Sequence, residues 1–254
     1  NSEKKTISTT RFTQPAMVAV ANMATLLLKK NGITPDYVCG LSLGEYSALS
    51  ASGVFDPTIA IQVVRERGLA MEKAAEGVES AMMAILGLER EPLLDICVGC
   101  DGYVSIANYN CPGQLVIAGE KKAVEEAGQK ALDHGARRAV PLNTSGPFHT
   151  LLLKDASTRL HEVFKDVTFH EMNVPVIFNC TGKELEDCSV QEMLEKQVMS
   201  PVYFEDSIRT MINNGVDTII EIGPGKVLSG FVRKIDRKIK TYQVEDMASF
   251  QKCV

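Results

Sequence analysis

Apolar residues recur at helical spacing between Pro15 and Lys30, at Met17, Val18, Ala21, Ala24 and Leu28, and stop at Asn31-Gly32, which predicts a helix there. Tyr37-Val38-Cys39 reads as a short strand, and a glycine-flanked turn leads from it into a second helix that Gly53 and Pro57 end. Thr58 to Ala75 is a long amphipathic helix. The pattern then shortens to a strand at Ala81–Leu88, a helix at Glu91–Cys97, strands at Tyr103–Asn108 and Gln114–Ala118, a helix at Lys121–Asp133 and a strand at Ala136–Leu142. This β-α-β-β-α-β order matches a ferredoxin-like unit, with Pro112-Gly113 suited to a type II turn between its middle strands. An irregular stretch, Asn143 to His149, precedes a helix over Leu151–Lys165. Beyond it come a strand at Val174–Asn179, helices at Val190–Met199 and Phe204–Asn213, a strand at Thr218–Ile222, a helix at Val227–Ile235 and a last strand at Ile239–Val244. Residues 1–10 are polar with no strand of their own. The fold class expected is α/β, with 80–143 forming an inserted small subdomain and 1–79 with 144–254 forming a discontinuous larger one.

Composition narrows this picture. The 254 residues are 45% hydrophobic, enough to bury a sizeable core without staples. Seven cysteines, an odd number at irregular spacing, suggest a reduced, cytoplasmic protein and offer no zinc-type doublets, so no metal is expected. Cys97-Val98-Gly99-Cys100 falls at the end of a predicted helix rather than at its start, so it reads as incidental rather than redox-active. No apolar run reaches membrane-spanning length, and a net charge of -5 argues against nucleic acid as a partner. The segment Lys226–Lys240 runs against that charge: six basic residues there face only Asp236. A docking site for an acidic macromolecule and a solvated helix face read equally from it.

The chemistry is concentrated at Gly40-Leu41-Ser42-Leu43-Gly44-Glu45. Serine two residues from glycine on either side, between a strand and a helix, is the pattern of a nucleophile elbow. A Cβ at either glycine is expected to collide with the neighbouring backbone. The alternative is a glycine-rich connection with a capping serine. A serine hydroxyl needs a base. Of four histidines, His134 lies at a helix end, and His161 and His170 read as surface residues. His149 sits in a Gly-Pro-bearing loop where the chain re-enters the larger layer, and is the candidate. Arg67 on its own reads as a helix-surface partner of Glu66 or Glu72. Gly223-Pro224-Gly225-Lys226 lacks the spacing and the Ser/Thr of a phosphate loop and reads as a strand-helix turn.

Five motifs then carry a resemblance: the elbow through Leu49, Glu66-Arg67-Gly68, Asn108 to Gln114, Pro147-Phe148-His149, and Glu221 to Leu228. In this order, from about Thr13 to Val244, the chain resembles the malonyl-CoA:acyl carrier protein transacylases. The resemblance implies a hydrolase-like α/β larger subdomain. It implies Ser42 as nucleophile, His149 as its base and Gln197 at the position whose main-chain carbonyl orients the histidine. By the same resemblance Arg67 grips the free malonyl carboxylate, Leu43 supplies an oxyanion-hole N–H, and Asn108 and Asn110 line the site. No cofactor is implied, since the coenzyme A thioester and the phosphopantetheine of the carrier protein are substrates. The implied activity is ping-pong malonyl transfer feeding type II fatty acid synthesis; a monomer is expected, and the basic segment Lys226–Lys240 is the candidate docking site for the carrier protein. Two departures stand out. Leu41 replaces a histidine common in the family, removing a polar contact near the acyl pocket. The family's opening strand and Gly-Gln-Gly loop, which gives a second oxyanion donor, do not occur in this chain, and that segment is expected elsewhere, as a separate fragment or a leader. A serine hydrolase or thioesterase using the same elbow, and a non-catalytic scaffold binding the carrier protein, are the alternative readings.

Overall fold

The computed structural model describes residues 9–254. Its first element, helix α1 (Thr10–Lys30), starts five residues before the expected Pro15, which therefore lies inside it. That longer start puts Gln14 on the same buried stripe as Val18, Ala21 and Leu28. Strand β1 (Val38–Cys39) then runs into the elbow and helix α2 (Leu43–Ser52), and helix α3 (Pro57–Ala75) follows with Pro57 at its start, where a missing N–H costs nothing.

The middle of the chain forms strand β2 (Ser80–Leu86), helix α4 (Arg90–Val98), strands β3 (Val104–Cys111) and β4 (Gln114–Glu120), helix α5 (Lys121–Asp133) and strand β5 (Arg138–Pro141). All three strand pairings are antiparallel, in the sheet order β3-β4-β2-β5. The hairpin turns at Pro112-Gly113, and Gly113 takes the positive φ of +66° that the third position of a type II turn demands. One face of the sheet buries Ile85, Ile106, Leu115 and Ile117 against Leu93 of α4 and Val124 of α5.

After a 3-10 turn at Leu151–Leu153, helix α6 (Lys154–Phe164) is shorter than the continuous helix expected from Leu151 to Lys165. Strand β6 (Val176–Ile177) is also shorter than the apolar run Val174–Asn179, because it pairs in parallel only with the two residues of β1. Beyond that pair, Asn179 turns its side chain to the elbow. Helices α7 (Val190–Gln197) and α8 (Phe204–Asn213), strand β7 (Thr218–Ile222), helix α9 (Val227–Ile235), strand β8 (Lys240–Val244) and helix α10 (Met247–Phe250) complete the chain. Strands β7 and β8 pair in parallel. The main core packs Val18, Tyr46, Leu49, Val64, Leu160 and Phe178 around the elbow helix.

Contacts between β3 and the 200–206 segment join the two parts. Tyr109 N donates to Val202 O at 2.9 Å and Val202 N to Ala107 O at 2.9 Å. The Tyr109 and Tyr203 rings stack at 4.7 Å, and Arg90, over the Tyr109 ring, pairs with Glu205 and Asp206. These two stretches are thereby held together by both main chain and charge. No helix of the described residues is long and apolar enough to cross a membrane.

Candidate active site

The elbow is built by steric exclusion. A Cβ on Gly40 would overlap the Gly44 carbonyl carbon, so strand and helix can meet this closely only if residue 40 is glycine. A Cβ on Gly44 would meet nothing within 4 Å, which corrects the expectation that both glycines are sterically required. Ser42 is held at φ 53° and ψ -102°, a conformation non-glycine residues seldom adopt. It occupies the N-cap position of α2, yet its side chain makes no cap hydrogen bond, which removes the capping-serine reading.

The Ser42 hydroxyl meets His149 instead. Ser42 Oγ lies 2.7 Å from His149 Nε2, and His149 Nδ1 lies 2.9 Å from the main-chain oxygen of Gln197. A carbonyl can only accept, so Nδ1 carries the hydrogen and Nε2 is the acceptor for the serine proton. His149 is itself held at φ 63°, its N–H donating to Val198 O at 3.1 Å. His134, His161 and His170 are exposed on the surface, and only His149 of the four is buried. Burial, reinforced by the Arg67 charge, lowers the His149 pKa to about 4, so the imidazole is neutral at physiological pH.

Arg67 is 1% exposed, and the expectation of a surface ion pair is corrected. Glu66 pairs with Arg65 and Arg159, and Glu72 with Arg11, which leaves Arg67 to turn inward from α3. Its Nη1 donates to Gln14 Oε1 at 3.0 Å, and its Nη2 to Ser42 Oγ and to Gln197 Oε1, each at 3.0 Å. Its guanidinium carbon stands 5.3 Å from the centroid of the Tyr46 ring, and Nε is buried without an acceptor. A buried cation whose acceptors are neutral and whose Nε–H is unpartnered among the described residues is poised for an anionic group. Burial lowers the Arg67 pKa, while Tyr46 and Glu45 pull it back up. Gln197 Nε2 returns to Ser42 O at 2.8 Å, which closes the ring of contacts.

Two further polar residues stand behind the serine. Asn179 Oδ1 accepts the Ser42 N–H at 2.6 Å, and Asn179 Nδ2 donates to Gly40 O at 2.6 Å. Glu45, fully buried, accepts the Asn179 N–H at 2.5 Å on Oε2 while Oε1 has no partner, and burial pushes its carboxyl up to about 8. The Leu43 N–H, first of α2, has no acceptor among the described residues.

The structure therefore brings together Ser42, Leu43, Arg67, His149 and Gln197. Asn108 and Asn110 are buried on β3, and neither side chain is hydrogen-bonded to this cluster; Asn110 Oδ1 has no partner among the described residues. Leu41 packs with the apolar cluster of Ile177 and Val202. Gln14, Glu45 and Asn179 are the residues that sequence reasoning missed. A glutamine on an otherwise apolar buried stripe is the one local mark of Gln14. Among the described residues no group of acids, histidines and cysteines could hold a metal ion, and all seven cysteines are free. Burial pushes Cys97 up to about 12, against any thiolate role for the Cys97–Cys100 pair. The glycine turn before α9 is closed to phosphate by the protein itself: the Glu221 carboxylate accepts Leu228 N at 3.0 Å and Ser229 N at 2.8 Å.

A family model described as acyl transferase domain matches residues 1–251. The malonyl CoA-acyl carrier protein transacylase of Bacillus subtilis (strain 168) is 46% identical over 237 residues, 92% of this chain and 75% of that protein. The crystal structure of MCAT from Streptococcus pneumoniae superposes with a TM-score of 0.95 at 43% identity, covering 100% of this chain and 84% of that one. A malonyl-transacylase solved in complex with its type II PKS acyl-carrier protein superposes with a TM-score of 0.94 at 36% identity, covering 98% and 82%.

Proposed function

The chain belongs to the acyl transferase domain family, and from that membership and the buried arginine beside its serine we propose malonyl transfer from malonyl-CoA to the thiol of acyl carrier protein, the step that feeds type II fatty acid synthesis. The observation that carries the acyl group's identity is Arg67, a buried cation 3.0 Å from Ser42 Oγ with an unpartnered Nε. A carboxylate two carbons from the thioester carbonyl can reach it while the carbonyl faces the serine; an acetyl group offers it nothing.

In the mechanism, Ser42 Oγ attacks the thioester carbonyl as its proton passes to His149 Nε2. The oxyanion forms against the Leu43 N–H, and helix α2 adds the positive end of its dipole. Collapse expels coenzyme A, whose sulfur takes the proton from the imidazolium. The carrier's phosphopantetheine thiol then gives its proton to His149 and attacks the malonyl-serine, which restores the Ser42 hydroxyl through the reverse sequence. The Gln197 carbonyl keeps the ring in the tautomer both halves need, without a third acid. Asn108 and Asn110 form the small-subdomain wall of the acyl cleft.

We read the β2–β5 unit as a ferredoxin-like small subdomain, 80–143, set into a hydrolase-like larger one, which its sheet order supports. The carrier docks on the exposed residues Lys226, Arg233, Lys234, Arg237, Lys238 and Lys240. None of the six is in an ion pair among the described residues, so all are available to an acidic surface. Two measurements test the reading. Malonyl-CoA should label Ser42 rapidly, and with carrier present the product should be malonyl-carrier rather than free malonate; labelled Ser42 that yields only malonate would make the protein a hydrolase. Reversing the charges of Arg233, Lys234 and Arg237 should raise the KM for carrier and spare Ser42 loading, and an unchanged KM would remove the docking face.

A further inference from the structure

Ser42-Leu43-Gly44-Glu45 has the S-x-x-E spacing of a capping box, in which serine and glutamate would bond each other's main chain and close the helix start. Neither does. Ser42 Oγ is taken by His149 and Arg67, and the Glu45 carboxyl, fully buried in the first turn of α2, turns away to accept the N–H of Asn179. Asn179 follows β6 at the point where the two-residue ladder with β1 has ended. Its side-chain amide takes over from the ladder, accepting from Ser42 N and donating to Gly40 O, so that it spans the turn on both sides of Leu41. Asn179 is itself 1% exposed, and its carbonyl accepts the Tyr203 N–H at 2.8 Å.

We propose that Asn179 is the positioning residue of the nucleophile, clipping the elbow across Gly40 and Ser42, with Glu45 holding Asn179 in register through its main chain. The inference rests on the acyl-serine reading above. Ser42 sits in a backbone conformation that would relax if nothing held it. Its N–H and the Gly40 carbonyl are the two groups whose placement sets that backbone, and Asn179 satisfies both with one planar amide. Using the Ser42 N–H in this way also leaves the Leu43 N–H as the free donor beside the reacting oxygen. The side-chain bonds of Asn179 run to Gly40 and Ser42 and none runs to Arg67, to which the malonyl carboxylate falls; Glu45 reaches Arg67 only through its charge. A loss of the clip should therefore slow acylation without weakening substrate binding.

The test follows the first turnover, as coenzyme A release from malonyl-CoA per folded site, beside the reaction of Ser42 with a small phosphonofluoridate that carries no carboxylate. Asn179→Ala and Glu45→Ala should each slow both reactions about 10²-fold, the scale of a nucleophile misplaced by an ångström, with the KM for malonyl-CoA unchanged. Glu45→Gln keeps an oxygen for the Asn179 N–H and should restore the rate to near that of the unmodified protein. Folded variants that load Ser42 at the unmodified rate would overturn the proposal, as would variants that lose malonyl-CoA affinity while the phosphonofluoridate reacts normally. Should Asn179→Ala fail to fold, the contrast between Glu45→Ala and Glu45→Gln decides the matter alone. An unmodified protein that reacts with the phosphonofluoridate but never with malonyl-CoA would instead refute the transferase reading and leave the clip measurable.

Discussion

Replacing Arg67 by methionine keeps much of the side chain's volume while deleting its charge and its three hydrogen bonds, to Gln14, Ser42 and Gln197. With malonyl-CoA the lost interaction is a guanidinium-carboxylate pair of two charge-assisted hydrogen bonds, each worth about 1.5–3 kcal/mol. The empty site already gives the same donors neutral acceptors, so only part of the gross sum of ~3–6 kcal/mol is net, and the lower half is the working range. At 1.4 kcal/mol per decade, roughly 3–4 kcal/mol lowers kcat/KM for malonyl-CoA about 10²–10³-fold. Acetyl-CoA should respond in the opposite sense. In the unmodified protein its methyl group faces a buried cation, at a cost of about 1–3 kcal/mol that the methionine removes, so its kcat/KM should rise about tenfold or more. Coenzyme A release measured with both thioesters, carrier present, gives the ratio directly, and it should move toward acetyl by about three orders of magnitude. If both substrates lose activity equally, Arg67 is a brace for Gln14 and Gln197 rather than the reader of the acyl group, and the assignment of malonyl by this residue fails.

His149, lowered to about 4, must be neutral to take the serine proton, so acylation should hold steady from neutrality down to about pH 5 and fall as pH drops through about 4. The Arg67→Met variant lacks the cation that depresses it, and its acid limb, read with the phosphonofluoridate, should move to higher pH. Glu45 has its carboxyl raised from 4.5 to about 8 by burial, against the pull of the Asn179 N–H and of Arg67, so between those values the folded state holds a proton that the unfolded chain has released. Stability should accordingly decline as pH rises from about 5 to about 8, and Glu45→Gln should flatten that slope in urea titrations; an identical slope would mean that Glu45 does not titrate there. Gly40→Ala forces apart the strand and the helix at the elbow, with an expected loss of more than about 4 kcal/mol in urea unfolding or failure to fold, whereas Gly44→Ala, which meets open space, should fold normally.

What could be read from the chain was local. The spacing of Gly40, Ser42 and Gly44 and the position of His149 in a Gly-Pro loop are short-range facts, and the alternation over 80–143 follows from periods of two and 3.6 that repeat within a few residues. The hidden part depends on long-range company. Asn179 acts on a residue 137 positions earlier, and nothing in Phe178-Asn179-Cys180 marks it. The apolar run Val174–Asn179 reads as a strand throughout, yet a ladder needs a partner, and β1 offers only Val38 and Cys39. Arg67 misleads for the same reason: the nearby acids Glu66 and Glu72 suggest a surface ion pair, and only the packed structure shows them spent on Arg65, Arg159 and Arg11. Gly44 is the opposite failure, since symmetry of the motif suggests a steric need that the fold places on Gly40 alone.

Glu221, with its two bonds to the start of α9, is a counter-ion attached to the chain. A tethered ion cannot be diluted away, and free phosphate or chloride in solution must compete against a carboxylate already seated on both N–H groups. The start of α9 is therefore less sensitive to ionic strength, while the exposed cations Arg233, Lys234 and Arg237 around its far end, of which Arg233 and Lys234 bond only neutral partners, are screened by the same salt. Salt should thus loosen an acidic partner's grip on these cations without loosening the helix, which suits the proposed docking of a carrier protein there once per turnover.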